Sequence, residues 1–271
     1  MKLSKQDQKL HEEALAILEK DTINFDDREF VFKHYNEAAT HMIGKNAAFF
    51  TPMDLARDFA IEACSNGRII DLCAGIGHLT YAIIRQKEFS CKDYDITCIE
   101  LNPEYYEIGK KLLPKVNWIL GDVTDKDLID SLGTFDLAIS NPPYGRIKTG
   151  SQTFPFKSKS DFEFKVVEIG TYMANYGVYL LPQGSTPFLY SGTKETYGAN
   201  AIEGRSAKYD KFTKDTGIAF TFNCGIGTEY AKWRNTNIVT EIVCVEKEEE
   251  WEDQDIKEDL LYQDSTQGTL F

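Results

Sequence analysis

The chain has 271 residues, 42% of them apolar and 13% aromatic, which is enough to bury a sizeable core and excludes a wholly disordered protein. Thirty Lys and Arg against 43 Asp and Glu leave a net charge of −13, which excludes a simple polycation that coats nucleic acid. The balance is uneven, because residues 146–234 hold twelve basic against eight acidic side chains, so a polyanion is expected to meet that segment.

In chain order, residues 4–20 place Leu10, Ala14, Ile17 and Leu18 at helical spacing. After a polar break at Asp26 and Asp27, residues 30–44 continue in helical or mixed style. Thr51 is expected as the N-cap of the next helix, with Pro52 as its first residue, Asp54 in the first turn and Gly67 beyond its end. From there strands and helices alternate. Strands are expected at 68–73, 95–100, 116–120, 135–140 and 176–181, with helices at 78–86, 103–113, 125–131 and 162–174 between them. Residues 183–216 read as loop, and 218–224 and 238–245 as two further strands. The stretch 247–259 is acidic and reads as solvated. This order predicts an α/β protein with a mostly parallel sheet, helices on both faces, and ligands at the carboxyl ends of the strands.

Six scattered cysteines include no CxxC pair and no local His partner, so no metal site is expected and reduced thiols of a cytoplasmic protein are. No apolar stretch follows the first lysines, and no signal peptide is expected. The uncharged run 169–193 is broken by Gly177, Pro182, Gly184 and Pro187, so no membrane span is expected.

The chemistry gathers at strand ends. IIDLCAGIGHLT puts Asp71, Gly75 and Gly77 at the end of the first strand, where a tight turn and close backbone approach to a ligand need glycine. Thr80 stands where a GxGxxG motif would finish, which argues against a dinucleotide. Glu100 ends the second strand, where a carboxylate can accept both hydroxyls of a ribose. Asp122 ends the third, able to accept from an adenine amino group, with Val123 beside it to pack on the ring. The fourth strand ends in Asn141-Pro142-Pro143-Tyr144. Two prolines stop the ladder and stiffen the corner. There the Asn141 side-chain oxygen and the Pro142 carbonyl can both accept from one exocyclic amino group, and Tyr144 offers a face for a planar base.

Taken together, AAFFTP at 47–52, DLCAGIG at 71–77, IELNP at 99–103, GDV at 121–123 and NPPY at 141–144 resemble the S-adenosylmethionine-dependent N6-adenine DNA methyltransferases of the gamma arrangement. The resemblance covers residues 45–182 and implies a Rossmann-like class I methyltransferase fold with a seven-stranded sheet. It implies that Phe50 and Thr51 hold the methionine end of the cofactor. Asp71, Gly75 and Gly77 would form its amino-acid and sugar site, Glu100 and Leu101 would meet the ribose, and Asp122 and Val123 the adenine. Asn141, Pro142 and Tyr144 would form the catalytic corner, with Asn141 also at the cofactor. It implies direct transfer, the target nitrogen of a base flipped from duplex DNA attacking the sulfonium methyl in line. A second aromatic is expected to close over that base from the loop between the last two strands, Trp233 first and then Tyr230.

This divides the chain into an N-terminal helical segment (1–45), a cofactor-binding and catalytic core (46–182), a loop-rich insertion with the last strands (183–250), and an acidic tail (251–271). No segment here matches the family's large target-recognition domain, so sequence reading is expected to be short and weak, from 183–216, or to come from a partner. The basic residues Arg146, Lys148, Lys157, Lys159, Arg205, Lys208, Lys211, Lys214, Lys232 and Arg234 are candidates for a phosphate path. The final Gln267-Gly268-Thr269-Leu270-Phe271 resembles peptides that dock on bacterial sliding clamps. Methylation of adenine in RNA, of cytosine N4 or of a protein glutamine uses the same kind of corner, and a non-catalytic methyltransferase-like subunit tethered to a clamp is the reading from another class.

Overall fold

The computed structural model describes residues 4–37, 49–65, 67–89, 93–147, 150, 153–192 and 206–247. The clamp-like peptide at 267–271, the acidic tail, Ala47, Ala48, Lys148 and Arg205 lie outside these described residues. Two helices open the chain, α1 (Lys5–Leu18) and α2 (Phe25–His34). They are followed by α3 (Met53–Glu62), β1 (Arg68–Asp71), α4 (His78–Phe89), β2 (Asp95–Glu100), α5 (Pro103–Leu112) and β3 (Asn117–Leu120). Next come α6 (Lys126–Leu132), β4 (Phe135–Ser140), α7 (Phe162–Met173) and β5 (Ala174–Pro182). The last elements are α8 (Ala207–Thr216), β6 (Thr221–Phe222) and β7 (Thr240–Glu246).

The seven strands form one sheet in the order β3-β2-β1-β4-β5-β7-β6. The first five run parallel, and β7 lies antiparallel to both β5 and β6. This is the Rossmann-like class I methyltransferase fold. The pleat explains its two cores, since neighbouring strand residues point to opposite faces. Ile69, Leu137, Val178 and Ile242 join one apolar cluster, while Ile70, Ala138, Tyr179 and Val243 join the other. The first cluster takes α1 to α5; the second takes α6, α7 and Phe212 of α8. Buried Ala14, Val31, Phe32 and Tyr35 tie the N-terminal helices into the same core as Phe59 and Tyr81.

Several local expectations are corrected. Asp26 and Asp27 do not break a helix. They form the first turn of α2, capped by Asn24, whose side chain accepts from the Asp27 N–H while the Asp27 carboxylate accepts from the Asn24 N–H. Thr51 does not cap α3; the N-cap is Pro52, without a side-chain bond. Residues 183–216 are not all loop. Ser206 accepts from the Tyr209 N–H to start α8, and Gly217 at φ +80 ends it. Polar composition hid this helix, although both capping residues are those such a helix needs. The sixth strand contracts to Thr221–Phe222.

Candidate active site

The carboxyl ends of β1, β2, β3 and β4 open into one cavity. Of the expected residues, Phe50, Thr51, Asp71, Gly75, Glu100, Leu101, Asp122, Val123 and Asn141 line it. Gly77, Pro142, Tyr144, Tyr230 and Trp233 do not. Gly77 serves the turn. Its φ is +98, and a Cβ there would meet Leu113 Cδ1 at 2.8 Å. Gly75, at φ +58, faces the cavity, and its missing Cβ leaves room 3.1 Å from the Phe50 ring.

The acids are held by the backbone. Glu100 accepts from the Gly75 N–H and the Asn102 N–H, both at 2.7 Å. Asp71 is buried and accepts from the Thr80 hydroxyl at 2.8 Å. No cation pairs with either acid among the described residues, so burial pushes each carboxyl up to about 7, and Glu100 adds its own repulsion to Asp71. Asp122 spends Oδ1 on the Thr124 N–H and hydroxyl, at 2.9 and 2.7 Å. Its Oδ2 takes no bond among the described residues and can accept from a bound amino group.

His78, the first residue of α4, was not among the expected site residues. Its ring stacks on Phe50 with centroids 5.0 Å apart. Its Nε2 lies 3.0 Å from the Phe32 carbonyl and donates to it. Burial and Arg234 lower its pKa to about 3, so the ring is neutral. Thr80, the departure from a dinucleotide motif, orients Asp71 instead. Phe49, Asn102, Tyr105, Pro143, Ile147 and Phe162 also line the cavity.

At the β4 corner, Asn141 Nδ2 donates to the Phe49 carbonyl at 3.0 Å and to Thr51 Oγ1 at 2.9 Å. The Tyr144 hydroxyl donates to Asn141 Oδ1 at 2.7 Å. A flipped carboxamide would set its oxygen against the Phe49 carbonyl, so the amide has one sensible orientation. An amide oxygen has two lone pairs, and the second on Asn141 is free for a substrate donor. The Pro142 carbonyl takes no hydrogen bond among the described residues. Behind the corner, the buried Glu163 carboxylate accepts from the Gly145 N–H at 2.7 Å and from the Ser185 hydroxyl at 2.9 Å, which ties the loop to α7.

Tyr230 and Trp233 sit on the β6–β7 loop as expected but are engaged. The Tyr230 hydroxyl donates to Asp58 of α3, and Trp233 packs half-buried against the first core. The basic path is broken up as well. Arg146 and Lys208 pair with Asp161, Lys211 pairs with Asp215, and Arg234 donates to the Lys33 and Tyr35 carbonyls. Among the described residues no group of three His, Cys, Asp or Glu could hold a metal ion, and no helix is long and apolar enough to cross a membrane.

Comparison with known proteins agrees with the fold. No protein-family profile matches the chain. A segment of 82 residues is 37% identical to the release factor glutamine methyltransferase of Corynebacterium glutamicum, covering 28% of each protein. The type I restriction-modification methyltransferase subunit of Streptococcus thermophilus superposes with a TM-score of 0.53 at 18% identity, over 84% of this chain and 51% of that one. A structure described by the assembly and conformational transition of a type I restriction-modification system gives 0.52 at 18%, over 83% and 49%. The chain thus spans about half the length of these two structures and little more than a quarter of the glutamine enzyme.

Proposed function

We propose that this protein is an S-adenosylmethionine-dependent methyltransferase acting on the N6 amino group of adenine in DNA. One observation carries the reading: the Asn141 corner and the acids of a nucleoside site line the same cavity. The residues fit the cofactor, because Gly75 leaves space where a Cβ would intrude and the buried acids lack a cation of their own. In this reading Glu100 accepts from ribose hydroxyls, Asp122 Oδ2 accepts from the adenine amine, and Asp71 and Phe50 flank the methionine end. When bound, S-adenosylmethionine supplies an electrophilic methyl group.

The chain's own residues do the rest. Asn141 Oδ1 and the Pro142 carbonyl each accept a hydrogen bond from an N–H of an exocyclic amine, which draws its nitrogen toward tetrahedral geometry and raises its nucleophilicity. The nitrogen, once methylated, sheds one proton to water. Thr51, Phe49 and Tyr144 hold that acceptor still, so its placement is settled before substrate arrives. Phe49, Pro143, Ile147 and Phe162 form apolar walls on this side of the cavity, suited to the faces of a flat base.

The identity with a glutamine methyltransferase supports a second reading, in which the same corner holds a side-chain amide of a protein. Tritiated methyl transfer to unmethylated duplex DNA, structured RNA and glutamine-containing peptides separates the two. Duplex DNA is expected to be labelled, and Asn141→Ala to abolish labelling. Labelling of peptide alone would overturn the DNA reading, and full activity in the variant would overturn the role of Asn141.

A further inference from the structure

The β6–β7 loop is brought to the N-terminal helices by contacts nearly two hundred residues apart in sequence. Arg234 reaches the carbonyls of Lys33 and Tyr35 at the carboxyl end of α2. Asn235 donates to the Asn36 side-chain oxygen at 3.3 Å, and Tyr230 holds Asp58. Between α2, the start of α3 and this loop lies a second cavity of about 410 Å3. It shares Phe50, Thr51 and His78 with the cavity of Asn141, so those side chains form a common wall.

Its charge runs against that of the whole chain. Lys33, Arg57, Lys232 and Arg234 line it, against Glu29 and Asp54. Both carboxylates belong to Arg57, at 2.9 and 3.3 Å. Arg234 donates to carbonyls, and Glu37 and Asp7 offset part of its charge. Lys33 and Lys232 are exposed and enter no ion pair among the described residues. A protein of net charge −13 therefore sets two lysines without an ion pair among the described residues, together with Arg234, around a hollow beside its reacting corner. The shared wall sets this hollow next to the cavity of Asn141, within reach of a strand whose base enters there, and ammonium groups at that point would lower the energy of a phosphate.

We propose that this cavity receives a backbone phosphate of the substrate strand beside the methylated nucleotide. Lys33 and Lys232 bind the phosphate, and Arg234 is a positioning residue that clamps the loop presenting Lys232. The inference rests on the nucleic-acid reading above, since a glutamine side chain of a protein brings no phosphate.

The test is the salt dependence of binding to duplex DNA and, in a parallel arm, to structured RNA. It compares the wild type, the double variant Lys33→Gln with Lys232→Gln, and a control that loses the same charge outside the cavity, Lys110→Gln with Lys111→Gln on α5. The cavity variant is expected to bind DNA roughly tenfold more weakly and to lower the slope of log affinity against log salt by about one per lost phosphate contact. The control should keep the wild-type slope, and cofactor affinity should be equal in all three. The same dependence with RNA preferred keeps the phosphate site and moves the substrate. Wild-type affinity and slope in the cavity variant, while the wild type binds and methylates DNA, would overturn the site and leave the reading standing. A wild type that binds neither nucleic acid but methylates a glutamine peptide would overturn both.

Discussion

The Tyr144 hydroxyl donates to Asn141 Oδ1 at 2.7 Å, so the residue after the two prolines braces the residue before them. The same hydroxyl lies 3.2 Å from the Leu180 carbonyl on β5, and burial together with Glu163 keeps it protonated by raising its pKa. Tyr144 therefore contributes through its oxygen rather than through a ring face in the cavity. Tyr144→Phe keeps the ring and removes one neutral hydrogen bond, worth about 1 kcal/mol. Turnover is expected to fall roughly five- to tenfold, with cofactor affinity unchanged. Single-turnover rates and calorimetric titration of the cofactor check both.

Thr51 is buried and accepts from Asn141 Nδ2. Thr51→Val keeps the shape and removes the acceptor, leaving a buried donor with the Phe49 carbonyl alone. The expected loss is on the order of 1–3 kcal/mol in stability or in the barrier. Thr51→Ser should restore most activity, because the hydroxyl rather than the methyl is what Asn141 uses. Equal activity of the Val and Ser variants would refute this.

The buried acids make stability and cofactor binding respond oppositely to pH. A carboxyl held near 7 in the folded protein keeps a proton that the unfolded chain has already lost, so its stabilising effect is complete below the ordinary carboxylate range. That effect declines as pH rises through about 7. For Asp71, the more buried of the two, the decline is on the order of 4 kcal/mol. Cofactor hydroxyl and ammonium groups favour the ionised acids, so cofactor affinity should rise across the same interval. Asp71→Asn is expected to reduce the fall of the melting temperature between pH 5 and pH 8 to the share that Glu100 contributes, to raise stability at the alkaline end, and to weaken cofactor binding at least about tenfold. Melting curves and titrations at four pH values decide the point.

Gly75→Ala tests the cradle. The left-handed backbone at φ +58 costs a residue with a Cβ about 1–2 kcal/mol. The new methyl would stand 3.1 Å from the Phe50 ring, which must shift with its partner His78. A modest drop in melting temperature with a much larger loss of cofactor affinity is expected. Equal losses in both would mean that Gly75 matters to the turn alone.

The parallel core, the strand ends and the acids upon them were legible in the sequence because each depends on short-range order. Alternating apolar runs specify strands, 3.6-residue periodicity specifies helices, and glycine and proline mark the turns between them. Strand β4 at Phe135–Ser140 and β2 at Asp95–Glu100 match their expected bounds for that reason. Thr51 looked like a helix cap because local pattern cannot show that its hydroxyl meets Asn141, ninety residues later. Arg234 looked like a phosphate ligand because nothing nearby in sequence reveals the carbonyls of α2. Buried hydrogen bonds between distant segments form only once the core has packed, since only then must those polar groups replace lost water with one another. Tertiary packing therefore decided the aim of the Asn141 amide, the neutrality of His78 and the gathering of cations beside Thr51.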